Sequence, residues 1–388
     1  MSDAPADGVY ALPPRDAMCD SARKLRDTYA RTPGAPFYHR TFGLWMCLDH
    51  WKTQGLPEDV DIDAFFRFDS PEGKLHLGHA GWTTAAFRPT FEEKVIEDRG
   101  DHEVVQDTAG RAKLVFKGRR MGFMPDYLDH PVKDRRTWEE NVKWRLDAAT
   151  PERWSGFDQR IAEARKAAAC GRMISANVIG GYMYLRSLVG PEGVLYAFYD
   201  MPEVLHDCMK TWLEHIDGIL ARYQEHLTLD EVFLAEDICY NHGPLISPDL
   251  MREFLFPYYR QLIANVKARQ IDRSRHLYVQ IDTDGFSDPI VELYRDAIGM
   301  EMLSPFEVAS GCDVVEAGRR WPELIISGGI DKRILAKSTD DIDRMLEGIL
   351  PVMRERGGYI PTCDHGVPPE VPWQNYLHYR TRCVEYGD

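Results

Sequence analysis

The sequence contains no uninterrupted apolar stretch of the roughly 18 residues that a membrane-crossing helix requires, so no membrane span is expected. Residues 1–14 are acidic and rich in Ala and Pro, without the basic-then-apolar order of a secretory signal, and a cytoplasmic protein is expected. Positive charge is scarce. Lys and Arg number 47 against 62 Asp and Glu, a formal net charge of -15, which would repel nucleic acid or an anionic membrane. The basic runs at 117–120 and 133–136 are too short to reverse that and read as solvated faces. The eight Cys lack CxxC spacing, so free and mostly buried thiols are expected rather than a disulfide framework. There is no low-complexity tract, no short-period repeat and no dinucleotide or P-loop fingerprint.

What is present is material for a large core. Of the 388 residues 44% are hydrophobic, nine of them Trp, a composition that only a packed interior uses. The length suits two ordinary domains or one barrel with insertions. Residues 1–20 read as a flexible lead, with a short amphipathic helix over 16–31. Residues 35–39 and 64–67 are short apolar runs that could be first strands. Between 74 and 118 the pattern changes to that of an insertion. Alternating residues 102–107 and 111–116 flank a Gly-containing turn, the signature of an antiparallel hairpin.

From residue 137 onward, short apolar runs at 173–178, 231–235, 277–281, 300–303, 324–327 and 359–362 alternate with helix-length stretches. This βα repetition predicts an α/β fold with a parallel sheet, a single (β/α)8 TIM-type barrel over 21–388 carrying the hairpin in its N-terminal third. Eight strands are reached only by counting the two early runs. The last crossover helix is well marked: Ser338 opens a capping-box pattern, Ile342, Met345, Leu346, Ile349, Leu350 and Met353 share one face, and Gly357-Gly358 ends it.

Four of the expected strands run into ionisable residues at their C-terminal ends. Val232-Phe-Leu-Ala leads to Glu236-Asp237, Tyr278-Val-Gln-Ile to Asp282-Thr-Asp284, Glu301-Met-Leu-Ser to Pro-Phe-Glu307, and Tyr359-Ile-Pro-Thr to Cys363-Asp-His365. In a parallel barrel these ends converge on the face where barrel enzymes carry their chemistry. A single acidic residue after a strand is as readily a helix cap; four sharing a face point to an active site. Asp282, Asp284, Glu307 and His365 form a candidate metal set, since oxygen donors with imidazole suit zinc. Without a metal the carboxylates could act as general acids or bases. Glu236, Asp237 and His365 are the candidate catalytic residues. Cys363 reads as a bystander thiol and His242 as a loop residue. Gly180-Gly-Tyr-Met-Tyr-Leu-Arg186 follows a strand and opens a helix, so Tyr182, Tyr184 and Arg186, with Asn241 and Trp45, are candidate substrate contacts, although packing explains the tyrosines equally well.

Two stretches resemble the uroporphyrinogen decarboxylase superfamily. One is Gly357-Gly-Tyr-Ile-Pro-Thr-Cys-Asp-His365-Gly-Val-Pro-Pro-Glu-Val-Pro-Trp-Gln-Asn-Tyr; the other is Ile246-Ser-Pro-Asp-Leu-Met-Arg-Glu-Phe-Leu-Phe-Pro-Tyr-Tyr. Gly328-Gly-Ile-Asp-Lys and Pro202-Glu-Val-Leu add to the resemblance, which runs from about residue 131 to the C-terminus. It implies a TIM barrel, a homodimer, and one of two chemistries: cofactor-free decarboxylation of porphyrinogens, or methyl transfer between a small methylated donor and a corrinoid protein, usually with zinc.

The decarboxylases carry an early Arg-Gln-Ala-Gly-Arg segment and a Phe-Ser-Asp-Ile motif. Here Phe37-Tyr-His-Arg40-Thr-Phe-Gly-Leu-Trp45 stands in the early region, and Phe286-Ser-Asp288-Pro comes too late in the chain. The resemblance is therefore closer to the corrinoid-dependent methyltransferase branch. Its better-known members bind zinc through His-x-Cys and a late Cys, where this chain has Gln280-Ile-Asp282 and His365, so a thiolate-rich site is not expected. The expected activity moves a methyl group from a small O-, N- or S-methyl compound to a corrinoid, with zinc polarising the leaving heteroatom and Glu236 or Asp237 orienting or protonating the substrate. The alternatives are retained uroporphyrinogen decarboxylation and a non-catalytic barrel serving as a binding subunit.

Overall fold

The computed structural model describes residues 12–118 and 125–387. Its centre is a parallel sheet whose strands are β1 (Lys74–Ala80), β6 (Met173–Ile179), β7 (Glu231–Ala235), β10 (Tyr278–Asp282), β11 (Met302–Ser304), β12 (Ile325–Ser327) and β13 (Tyr359–Ile360), hydrogen-bonded in that order. Every neighbouring pair is parallel, with Ser175 opposite Glu231, Glu231 opposite Tyr278, and Asp282 opposite Ser304. Strands that follow one another in both sequence and space, joined by helical crossovers, make a TIM-type barrel. A separate small cluster shows the sheet curling back on itself. It joins Met173 of β6, Met302 of β11, Ile325 of β12 and Ile360 of β13 to Leu25, Tyr29 and Tyr38, and Leu25 and Tyr29 belong to the helix Asp20–Tyr29.

Neither of the two early apolar runs is a strand. Residues 64 and 65 belong to the helix Ile62–Phe65 and Phe66 caps its end, because the Asp61 carboxylate accepts the N–H groups of Asp63 and Ala64 and starts a helical turn. Residues 35–39 make no strand pairing. Pro36 has no N–H to offer a ladder, and Asp69 takes up both backbone polar groups of His39, its carboxylate accepting the N–H and its own N–H donating to the carbonyl. The segment nonetheless lies between the first and last strands, since Gly73 donates to the Tyr38 hydroxyl and Phe37 sits edge-on to Tyr359 of β13.

The first barrel strand is Lys74–Ala80, which the sequence pattern assigns to the insertion. Its alternate polar residues, Lys74 and His76, point to the barrel interior and bond Glu231 and Asn177 there. A polar interior layer gives the same alternation as a half-exposed hairpin. The insertion itself is a four-stranded antiparallel sheet of β2 (Lys94–Arg99), β3 (His102–Gln106), β4 (Ala112–Phe116) and β5 (Asp126–Asp129). Its β3–β4 hairpin is the one read from the sequence, and the turn is pinned by the Asp107 carboxylate, which accepts from the N–H groups of Ala109 and Arg111. A last pair, β8 (Cys239–Tyr240) and β9 (Gly243–Pro244), forms a small hairpin beyond β7.

The helix Thr339–Arg356 starts in a full capping box between Ser338 and Asp341 and buries Ile342, Leu346, Leu350 and Met353. Ser338→Ala should cost about 1 kcal/mol in urea denaturation; a loss too small to measure would mean that core packing alone holds this end. No helix among the described residues is long and apolar enough to cross a membrane.

Candidate active site

At the C-terminal mouth of the barrel lies a cavity of about 200 Å³, lined by Asp237, Asp282, Asp284 and His365 on its polar side and by Phe42, Trp45, Trp82 and Met183 on its apolar side. Four chain segments bring the polar groups together. Asp282 ends β10, and its carbonyl accepts the N–H groups of both Glu236 and Asp237 (2.9 and 3.1 Å), so the ends of β7 and β10 are tied at the site. Thr283 continues the tie, its hydroxyl oxygen accepting from Ile238 and Cys239. Asp237 is held at φ 45°, a left-handed backbone that few non-glycine residues adopt. Its carboxylate pairs with Arg186 of the helix Gly181–Val189. His365 is carried by a loop fixed through Asp364, whose buried carboxylate accepts the N–H groups of Val308 and Lys332.

Phe42 and Trp45 reach the cavity because their loop touches the His365 loop. Val367 donates to the Gly43 carbonyl (2.7 Å), and a Cβ on Gly43, at φ 80°, would stand 3.0 Å from the His365 carbonyl oxygen. Opposite, Trp82 stacks on Phe233 of β7 with ring centroids 4.8 Å apart.

The electrostatics single out Asp282. Burial pushes its carboxyl up to about 7, against the hydrogen bond from Ser304, and neighbouring Asp284 raises it further. Gln280 donates to the Ser304 hydroxyl (3.0 Å), which donates in turn to Asp282 Oδ2. The acid proton is thereby left on Oδ1. His365 Nε2 lies 3.4 Å from Asp284 Oδ2, and that hydrogen bond raises the imidazole above its ordinary value. Asp237 is thus paired with Arg186, and Asp284 with His365 when the imidazole is protonated, beside the raised carboxyl of Asp282.

Trp45, Asp237, Asp282, Asp284 and His365, all named from the sequence, line this one cavity, with Arg186 at its edge through Asp237. Others do not reach it. Glu236 is turned behind the barrel wall, where its carboxylate accepts from the hydroxyls of Tyr259 (2.5 Å) and Tyr294 (3.1 Å) and from the Tyr182 N–H, and burial pushes it up to about 7. A Cβ on Gly180 would strike that carboxylate, so the glycine admits Glu236 rather than a ligand. Tyr182 and Tyr184 are fully buried in the core. Asn241 is exposed in the β8–β9 turn. Glu307 bonds Lys332 Nζ (3.1 Å) and the Gly285 N–H (2.9 Å) behind the site. Cys363 is buried, which pushes its thiol up and away from reactivity.

Among the described residues no three His, Cys, Asp or Glu side chains are grouped as a metal site requires. Glu307 is turned to Lys332, so the four residues named as a metal set do not converge on one point. Sequence reasoning overlooked Trp82, Met183, Ser304 and Gln280. Trp82 follows β1, which read as insertion; Ser304 ends β11 and Gln280 lies in the middle of β10, and a neutral polar side chain inside an apolar strand gives no signal of a site.

The family model described as Uroporphyrinogen decarboxylase (URO-D) matches residues 160–386. Curated relatives include the uroporphyrinogen decarboxylase of Coxiella burnetii (strain Dugway 5J108-111), 25% identical over 182 residues, and that of Anaeromyxobacter sp. (strain Fw109-5), 28% identical over 131 residues. The matched stretches cover 46% and 34% of each chain in turn, so this chain spans about half or less of those relatives' length. Among solved structures, a methyltransferase from Methanosarcina mazei superposes with a TM-score of 0.58 over 94% of this chain and 98% of that one, at 15% identity, a likeness of fold. A family model spanning more than half of the chain, including β6, β7, β10, β11, β12, β13 and the His365 loop, places this protein in the uroporphyrinogen decarboxylase (URO-D) family.

Proposed function

We propose that the protein removes a methyl group from a small, neutral O- or N-methyl compound, with Asp282 as the acid that protonates the leaving heteroatom. The observation that carries this reading is a carboxyl held neutral up to about 7 in a cavity of only about 200 Å³ with aromatic and Met walls. An alkoxide or amide anion is a poor leaving group, so the C–X bond breaks readily only if X receives a proton as it takes the bonding electrons. Asp282 supplies that proton from Oδ1, and Ser304 and Gln280 keep the other oxygen occupied. His365, braced by Asp284, offers a second polar contact to X. Phe42, Trp45, Trp82 and Met183 give the methyl group an apolar wall.

The acceptor in this reading is a corrinoid, which supplies a nucleophile for the methyl group. A corrin macrocycle does not fit inside the cavity, so a partner protein would present it at the rim, where Trp45, Met46 and Tyr240 are exposed. The name of the Methanosarcina mazei neighbour agrees with methyl transfer. Porphyrinogen decarboxylation suits the site less well, because a polycarboxylate substrate would meet three aspartates in the cavity lining, Asp237, Asp282 and Asp284. The test is to supply the full chain with methanol, methoxyarenes or N-methylaniline and free cob(I)alamin, and to follow methylcobalamin by absorbance. Methyl transfer from at least one donor class is expected. No transfer across the panel, or conversion of uroporphyrinogen to coproporphyrinogen, would refute the reading.

A further inference from the structure

A second cavity, of about 320 Å³, opens on the far side of the loop that carries Trp82. Trp82 and Thr83 line both cavities. His79, Arg88, Arg153 and Trp154 line the second, and its character is opposite to that of the chain as a whole. In a protein of formal net charge -15, the arginines here have no ion-pair partner among the described residues. Arg88 donates to the Phe87 carbonyl (2.8 Å), and buried Arg153 donates to the carbonyls of Asp147, Ala86 and Arg145. Arg160 donates to the Tyr223 hydroxyl (3.3 Å), which stands 3.0 Å from His79 Nδ1. The carboxylate of Asp147 acts on Arg153 electrostatically but forms no ion pair with it. Thr83, Thr84, Thr90 and Thr108 also line the cavity, and none of their hydroxyls has a hydrogen-bond partner among the described residues.

Cations gathered without counter-charge repel one another, and the imidazole registers it. His79 is pushed down to about 4 by burial and then by Arg160, Arg88 and Arg153, with no acid opposing. Arg153 is spent on tying Ala86 to the carbonyls of Arg145 and Asp147, whereas Arg88 is exposed and has donors left over. A concave surface of one sign with unengaged hydroxyls is complementary to an anion, which accepts from both kinds of donor.

We propose that this second cavity binds the anionic group of a small ligand, a phosphate or carboxylate, contacted by Arg88, His79 and the threonine hydroxyls. The site stands independently of the methyl-transfer reading. The anion could be the tail of a substrate that extends past Trp82, or a free ion.

Calorimetric titration of the full chain with inorganic phosphate, and separately with ethyl phosphate, tests the proposal. Saturable binding is expected. Arg88→Ala should weaken it by about tenfold or more, the loss of one charge-assisted hydrogen bond, while Arg165→Ala, outside the cavity lining, should leave it unchanged. In NMR of labelled histidines the His79 resonance should titrate at higher pH once phosphate is bound. Tighter binding of the ester identifies a ligand tail, and tighter binding of the inorganic ion identifies a free-anion site. Absence of saturable binding by both probes, or equal binding by Arg88→Ala and the parent chain, overturns the proposal.

Discussion

Asp282→Asn is expected to lower the rate of methyl transfer by about 10²- to 10⁴-fold, the usual contribution of a positioned acid, while the protein remains folded. The amide keeps the shape of the side chain and can still accept from Ser304, but it has no acidic proton to deliver. The pH dependence follows from the same burial. Activity of the parent chain should fall as pH rises through about 7, where Asp282 ionises, and the residual activity of the variant should lack that fall. If the fall survives in Asp282→Asn, it belongs to another group, and Glu236, also pushed up to about 7, is the one to substitute next.

Stability changes with pH in the same direction. The folded pKa of Asp282 lies above its unfolded value, so its contribution to stability is intact below the ordinary carboxylate range and is lost as pH rises through about 7. The amide does not suffer that loss. Urea denaturation above pH 7 should therefore find the variant at least as stable as the parent. A variant that is folded and fully active would remove Asp282 from the mechanism.

The ends of β7, β10 and the His365 loop were legible in the sequence because each places charged residues directly after a run of apolar ones, a pattern that needs only the period of a strand and its boundary. The crossover helix from Thr339 was legible for the same kind of reason, its cap, face and glycine stop all agreeing. Side-chain direction was not legible. Glu236 and Asp237 are adjacent, yet one faces three core groups behind the barrel and the other faces the cavity, and the left-handed backbone at Asp237 has no sequence signal. Glu307 and Asp284 look equivalent as donors; that Lys332 claims one and His365 the other is decided by loops far apart in the chain. The start of the barrel was misread because β1 carries Lys and His inward. Polar residues in a barrel interior defeat hydrophobic alternation, which takes polar to mean solvent.

That inward lysine leads to the largest stability effect expected. Lys74→Met should destabilise the fold by about 3–5 kcal/mol, the cost of leaving a buried carboxylate without its cation. Lys74 Nζ lies 2.8 and 3.0 Å from the two oxygens of Glu231, and both side chains are almost wholly excluded from solvent. Ser175 donates to Glu231 (2.7 Å), Lys74 donates to the Tyr29 hydroxyl (2.6 Å), and Tyr29 donates onward to Glu231. The network joins β1, β6, β7 and the helix Asp20–Tyr29 beneath the cavity. Remove the ammonium, and two hydroxyl donors must support a full negative charge in an apolar surround. Much of that cost is desolvation rather than attraction, so the double variant Lys74→Met with Glu231→Leu should be less damaged than Lys74→Met alone. Chemical denaturation of the two variants and the parent decides it. A loss below about 1 kcal/mol in the single variant, within the range of exposed pairs, would mean that water reaches this layer of the barrel and that the network is not the anchor of its first strand.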